Sequence, residues 1–449
     1  MKHVTLTLIA TLLPVIVVSA QTSPTPSLPL SLNDAIALGL EHNRTVVNAA
    51  LQVDKADQDI ATARSKRLPS LKIEAQGSQL LRPVNLTFAR GAFGEFPGIG
   101  PVPGNDTSIT TPARLNFIVS AEAQQPLTQL IKLSLSVRLN EASREYERER
   151  LRDTRLGLVD EIRRLYYTIA QTRGALDANR HSLELLREMD RLVTIRMAQQ
   201  VALKSDGLTV QSRIAQTELT RLSLTHAVAS QKEQLNQMIG RDLRTPFDVL
   251  DIPDARLEEI DLDLAQTRAM DARPDVKQAR VRLQQAELAR RVARADYLPD
   301  VGLSVSYLSP INIDGAPRQI ATAAIQASWE PWDWGRKGRA VASKDLDIRQ
   351  ARNVVHDTEE RAVLEINSRF RKLEEARAQV RAARLGQDAA REQARVRVTQ
   401  YEVQAALLSD VLQTEANLAD TTSQYQQALA TFWSARADFE RALGEEITR

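Results

Sequence analysis

The sequence predicts a mainly α-helical protein with a small β part, the whole architecture written twice. Two Leu-Pro pairs, Leu68-Pro69 and Leu298-Pro299, stand 230 residues apart, each where a charged, Ala-rich rhythm gives way to a period of two. Very long stretches with apolar residues at 3,4 spacing follow each of them. Aromatic residues make up only 4% of the chain and charged residues 26%, a bias that suits long helices.

The composition also excludes function classes. Lys+Arg total 59 against Asp+Glu 57, so the 449-residue chain carries a formal charge of +2 and offers no basic excess for nucleic acid. With no cysteine, disulfides, thiolate metal sites, Cys nucleophiles and an acylated N-terminal cysteine are all excluded.

Residues 1–20 read as a cleaved secretory signal. Met1-Lys2-His3 is a short positive region, Val4 to Val18 is uncharged and apolar, and Val18-Ser19-Ala20 offers small residues before Gln21. About 15 apolar residues fall short of the ~20 that a helical membrane span needs. Gln21 to Leu30 is Pro/Ser-rich and reads as an extended N-terminal tail.

The first repeat spans 31–240. Ser31 can cap a helix with Asp34 in its first turn, and that helix is predicted to run to about Arg67 and stop before Pro69. A β-hairpin over 70–125 follows, with Leu71, Ile73 and Ala75 alternating with Lys72, Glu74 and Gln76. A long Gly/Pro-rich loop, about Arg82 to Pro112, joins its two strands, and the second strand reads from Leu115 to Ala123. A long helical hairpin is expected over 128–240. Ile162, Ile169, Leu176 and Leu183 recur every seven residues in it, and a helix from about Leu130 to Gln200 would be ~105 Å long.

A connecting region, 241–261, holds Pro246 and Pro253 and reads as lying midway along the long helices. The second repeat, 262–444, copies the first. A helix from about Leu262 to Tyr297 stops at Pro299, a hairpin occupies 300–330, and a helical hairpin occupies 335–444. Leu32/Leu262, Ala35/Ala265, Val46/Val276 and Arg64/Arg294 are identical at the 230-residue offset. The turns "VALKSDGL" and "AALLSDVL" align at an offset of 204, and both hairpins end on glycines, Gly240 and Gly444, placed as C-caps. Residues 445–449 form a C-terminal tail.

The hairpins have one apolar and one polar face, and the remaining helices leave nothing to cover the apolar one. With a secretory signal, lipid is the solvent that fits. A sheet in lipid must close, and four strands are too few when natural barrels begin at about eight. The barrel is therefore expected to be shared between chains. Tyr297, Tyr307, Trp329, Trp332 and Trp334 gather at the strand ends and read as membrane-boundary aromatics, as rings sealing the junction between helices and sheet, or as both.

The duplicated order of "SLNDAIALGLEHN", the paired "LPSL" and "LPDVGLSVSY", "WEPWDWGRKGRA", and the twin "SDGL…MIG" and "SDVL…ALG" hairpins resembles the TolC-like outer membrane efflux protein family. The resemblance covers about Ser31 to Gly444. It implies a homotrimer in which four strands per chain build a twelve-stranded β-barrel in the outer membrane, with a long α-helical barrel reaching across the periplasm. It further implies that the helix tips, Val201, Ala202, Leu203 and Lys204 with Gln404, Ala405, Ala406 and Leu407, meet a periplasmic adaptor protein that links to an inner-membrane pump. The implied function is a passive exit duct of a tripartite efflux or type I secretion system.

The chain departs from the family in three respects. Asn43-Arg44 replaces a usual Asn-Pro, and Ala202 and Gln404 replace a tip glycine. Where some members carry acidic rings, the candidate periplasmic entrance here has Arg391, Arg395 and Arg397, with Glu402 the nearest acid. Those arginines read either as entrance residues or as a solvated outer face.

No catalytic, cofactor or metal site is expected, and the protein is not read as an enzyme. The five histidines are scattered without an HExxH pair, and no GxxxxGK[ST] phosphate loop occurs. The alternative reading is a periplasmic coiled-coil adaptor or scaffold without a pore. That reading leaves the doubled strand pairs and matched prolines without a purpose.

Overall fold

The computed structural model describes residues 29–111, 115–250, 252–253, 261–312, 317–403 and 405–445. The residues read as a secretory signal, most of those read as the N-terminal tail, residue Gln404 and the last four residues lie outside the described residues.

The chain opens with a two-residue strand β1 (Pro29–Leu30), followed by α1 (Leu32–His42) and α2 (Arg44–Ser65). Strand β2 (Ser70–Gln79) leads to short strands β3 (Val84–Phe88), β4 (Glu95–Phe96), β5 (Gly100–Pro101) and β6 (Thr107–Thr111), and then to β7 (Leu115–Pro126). The long helix α3 (Gln129–Ala198) and its return α4 (Lys204–Met238) close the first half. After β8 (Asp248–Val249) come α5 (Leu262–Ala272), α6 (Pro274–Ala295), β9 (Asp300–Ile311), β10 (Ile320–Ser328), α7 (Arg336–Glu402) and α8 (Leu408–Leu443).

Two corrections to the sequence reading concern single elements. The lead-in helix of each half is broken in two. Asn43 leaves the helical region and its side-chain oxygen accepts from the Thr45 and Val46 amides, capping α2. Arg273 breaks at the aligned position because Pro274 follows it, and proline excludes the helical region for the residue before it. The stretch between β2 and β7 is likewise no plain loop. Strands β3 and β6 pair antiparallel, and β4 pairs with β5 at the tip.

The main sheet is antiparallel in the order β10-β9-β7-β2. Its register sorts most side chains by face, with Ile118, Leu308 and Ile320 as apolar exceptions on the otherwise polar side. Ile73 lies opposite Ala121, which lies opposite Tyr307, which lies opposite Ala321. Leu71, Ala123, Val305 and Ala323 form the neighbouring row. The other face carries Lys72 opposite Glu122, and Glu122 opposite Ser306 and then Thr322. One residue of slip would exchange the faces, so the alternation fixes the register.

The helices repeat the strand order. Helix α2 packs on α3, α3 on α6, and α6 on α7, and each continues one strand of the sheet. The Thr128 hydroxyl accepts from the Val301 amide at 2.7 Å, and Lys132 reaches Asp296 and Asp300 at 3.2 and 3.3 Å, tying strand ends to helix starts. Below, α3 pairs with α4 and α7 with α8. The predicted heptad positions Ile162, Ile169, Leu176 and Leu183 are buried along α3, and Ile366 and Leu373 are buried along α7.

Midway, the connecting region is pinned to the long helices. Strand β8 pairs parallel with β1, the Tyr166 hydroxyl donates to the Leu30 carbonyl at 2.9 Å, and the Leu250 amide donates to that hydroxyl at 3.0 Å. The Trp433 indole donates to the Pro253 carbonyl at 2.8 Å. The final residues of the expected tail are therefore structural, and Leu30 is buried.

Candidate functional site

The sheet leaves its apolar face open to its surroundings. Leu71, Ile73 and Ile325 are 72%, 69% and 74% exposed, whereas Ser304 on the opposite face is buried. Soluble folds do not leave such rows uncovered. The two edge strands, β2 and β10, also have no partner on their outer sides among the described residues. Unpaired edges of this length are aggregation sites unless another strand adds to them. Because all neighbours are antiparallel, a β10 from a second copy beside β2 keeps the alternation.

The aromatic residues singled out in the sequence come together at the lower rim of the sheet, except Tyr307, which sits within β9 on the apolar face. Trp329 donates its indole N–H to the Tyr297 carbonyl at 3.3 Å, and Trp332 meets Trp334 edge to face with centroids 5.9 Å apart. All three tryptophans are exposed, with Trp334 held at a positive φ of 55° beside Gly335.

At the far end, the two helical turns pack side by side on one small core. Met189, Val193, Val210, Tyr401 and Val411 are buried there, with Ala202 and Ala406 against them. Arg196 clamps the pair, its guanidinium 4.2 Å from the Tyr401 ring centre and donating to the Tyr401 carbonyl at 3.3 Å. Asp206 caps α4 by accepting from the Leu203 amide at 3.1 Å. Val201, Leu203, Lys204, Ala405 and Leu407 are left exposed at the apex, the two leucines at about 70%. Arg391, Arg395 and Arg397 are exposed on α7; Arg395 pairs with Glu392 at 2.6 Å and Arg397 donates to Gln400 at 3.0 Å.

Sequence reasoning missed a belt of buried charge midway along the helices. Asp160 of α3 is buried and bonded to Arg164 and, at 3.2 Å, to Arg441. Asp438 lies 3.0 Å from Arg164 and 2.6 Å from Arg369, and Arg163 and Arg436 hold Glu440 at 2.7 and 2.9 Å. Burial, reinforced by the nearby Asp160 carboxylate, pushes the Asp438 carboxyl above its usual range. The signal was faint: charged residues are so frequent here that those facing inward look like those facing water.

No helix among the described residues is long and apolar enough to cross a membrane. A family model described as "Outer membrane efflux protein" matches residues 35–241 and 266–445, and so takes in both repeats. No curated protein matches the sequence. Among solved structures, the outer membrane protein VceC from Vibrio cholerae superposes with a TM-score of 0.72 at 16% identity, covering 92% of this chain and 96% of that one. A membrane protein from Pseudomonas aeruginosa gives 0.76 at 16% identity, covering 93% and 91%. The CmeC outer membrane channel from Campylobacter jejuni gives 0.74 at 15% identity, covering 92% and 85%. At these identities the likeness speaks for the fold.

Proposed function

This chain belongs to the outer membrane efflux protein family, and from that footing we propose that it is the exit duct of a tripartite efflux or type I secretion assembly. It is an outer-membrane protein that extends into the periplasm. Three copies would join β2 to β10 around a ring and close twelve strands, with the polar faces lining a water-filled bore and the apolar faces in lipid. The observation that carries this reading is the four-stranded sheet with an exposed apolar face and two unpaired edges. A single chain cannot satisfy those edges, and a heterologous edge-to-edge contact that closes on itself makes a ring.

The α3–α4 and α7–α8 hairpins would continue the bore through the periplasm. Their apices offer Val201, Leu203 and Leu407 as an exposed apolar rim, which suits a periplasmic adaptor protein that docks tip to tip. The inner-membrane pump would supply the energy and the cargo. Widening the bore would part neighbouring tips, and the Arg196–Tyr401 clamp is the contact such a motion strains.

The test is single-channel recording of purified protein in planar bilayers. Discrete conductance steps that enlarge on Arg196→Ala support the duct. Purified protein that stays in solution without detergent and never conducts would instead favour the adaptor or scaffold reading.

A further inference from the structure

The two repeats provide a comparison within one molecule. The groove between α6 and α7 is the counterpart of the groove between α2 and α3. In the first repeat that groove is electrically settled: Arg64 bonds Glu141 at 2.8 Å and Arg144 bonds Asp57 at 3.1 Å. In the second repeat the same backbone positions carry Arg294 opposite Leu346, where Glu141 is lost, and Arg349 near Glu287. Ile60, Ala61 and Glu147 are replaced by Arg290, Arg291 and Arg352.

The outcome is a groove of about 700 Å³ lined by five arginines against two acids. Arg290 is neutralised by Asp345 at 2.6 Å. Arg291, Arg294, Arg349 and Arg352 have no ion-pair partner among the described residues and are exposed. Many arginines elsewhere on the long helices are paired with acids (Arg163, Arg187, Arg369 and Arg395 among them). The first repeat shows that the scaffold packs without this charge, so packing does not explain it.

The groove's level and side say what it faces. Helix α6 ends just below Tyr297, and Arg294 and Arg291 lie about 5 Å and 9 Å of helix rise beneath that ring's backbone. This is the depth of the headgroup layer when the aromatic rim marks the membrane boundary. The side follows from strand chirality. In β7 the odd-numbered residues form the apolar face and bond towards β9, as the Leu127 amide does to Val301. Viewed from the apolar face with the sheet uppermost, β9 is then on the left of β7, and α7 on the left of α6. The right-handed turn of both helices brings Arg291 and Arg349 round to the apolar-face side. That is the lipid side, below the membrane.

We infer that the α6/α7 groove is a binding site for the phosphate headgroup of an acidic phospholipid in the periplasmic leaflet, held by Arg291, Arg294 and Arg349. Guanidinium forks match phosphate oxygens in bidentate fashion and remain charged at all relevant pH values. Basic pockets just under a membrane attract anionic lipid headgroups. The inference rests on the membrane placement given under the proposed function.

Native mass spectrometry of detergent-purified protein, titrated with phosphatidylglycerol or with phosphatidylcholine of the same chains, tests it. Wild type is expected to retain phosphatidylglycerol at least about tenfold more tightly. The triple variant Arg291→Gln, Arg294→Gln, Arg349→Gln should lose that preference. A control, Arg64→Gln with Arg144→Gln in the first-repeat groove, should keep it. A triple variant with unchanged preference overturns the site. So does equal competition by millimolar inorganic phosphate, which would make it a general anion site. A triple variant that falls apart into single chains overturns it too, because the arginines would then be holding a neighbouring subunit. Channel recordings in phosphatidylcholine separate the two readings. A triple variant that conducts like wild type leaves the duct standing whatever the lipid result, whereas wild type that neither assembles nor conducts removes the duct itself.

Discussion

Gly444 lies against Arg273 so closely that a Cβ on the glycine would stand 2.8 Å from the arginine's Cα. The first repeat has the same arrangement, with Gly240 against His42, where the built Cβ would lie 2.6 Å from the histidine Cβ. Each glycine ends a helical hairpin in the left-handed region, at φ of 68° and 73°. Each is docked where the lead-in helix of its own half breaks. The joint is bonded as well as packed: Asn43 donates to the Met238 carbonyl and Arg273 to the Ala442 carbonyl, both at 2.8 Å.

Replacing either glycine by alanine should therefore destabilise the protein by more than the ~1 kcal/mol of left-handed strain alone, because backbone must also move. Gly386, within α7 and with nothing within 4 Å, is the contrast. Gly386→Ala should be neutral or stabilising by up to ~1 kcal/mol. Thermal unfolding of the three variants decides it, and equal Tm values for all three would contradict the joint.

Arg273 holds more than its carbonyl partner. Its side chain is largely buried and pairs with Asp275 at 2.7 Å and Glu365 at 2.8 Å. Arg273→Met takes one charged donor from two carboxylates and a carbonyl, at a cost of ~3 kcal/mol. Asn43→Ala removes a cap and one bond and should cost about 1 kcal/mol. Denaturant midpoints for the two variants should fall in that order.

Glu415, on the returning helix near the tip, has its carboxyl pushed above the usual range by burial alone. A carboxyl with a raised folded-state value stabilises most when protonated, below the unfolded value, and that contribution is lost as pH rises through the folded one. Glu415→Gln should thus raise Tm at neutral pH, with the gain shrinking to nothing on acidification. Unfolding followed across pH 4 to 8 would expose the opposite trend if Glu415 gains a cationic partner in the assembly.

The two faces of β2 should respond oppositely to charge. Ile73→Arg places a cation on the apolar face, at a cost that rises with depth to ~2–4 kcal/mol at the membrane midplane, and should cut the yield of assembled outer-membrane protein. Glu74→Arg, one residue on, faces the polar side and should assemble normally. Heat-modifiable gel mobility of membrane fractions reads both.

Exposed tip residues predict a separable defect. Leu203→Asp with Leu407→Asp should leave assembly and conductance intact and abolish transport in cells, because only the proposed adaptor contact would be lost. A double variant that still supports export would show that docking lies elsewhere.

Much of this was legible in the sequence, for physical reasons. Pro69, Pro299, the alternation after each, and the glycines at 240 and 444 are local rules that act on their own neighbours. The matched offsets then propagated each reading from one half to the other. The break at Arg273 was available on the same grounds, since Pro274 forbids a continuous helix, and the 230-residue offset would have carried it to Asn43. The small strands β3 to β6 were hidden because glycine and proline dominate their surroundings. The charged belt around Asp160 and the arginine groove were not legible, because inward and outward charges on a long helix differ only in which neighbour they meet.

The central claim is that one chain contributes a third of a closed barrel. Native mass spectrometry of the detergent-extracted, membrane-derived protein tests it most directly. The account predicts one dominant species of three chains, which releases single chains only when unfolded. A dominant monomer, or a ring with another number of chains, would contradict it.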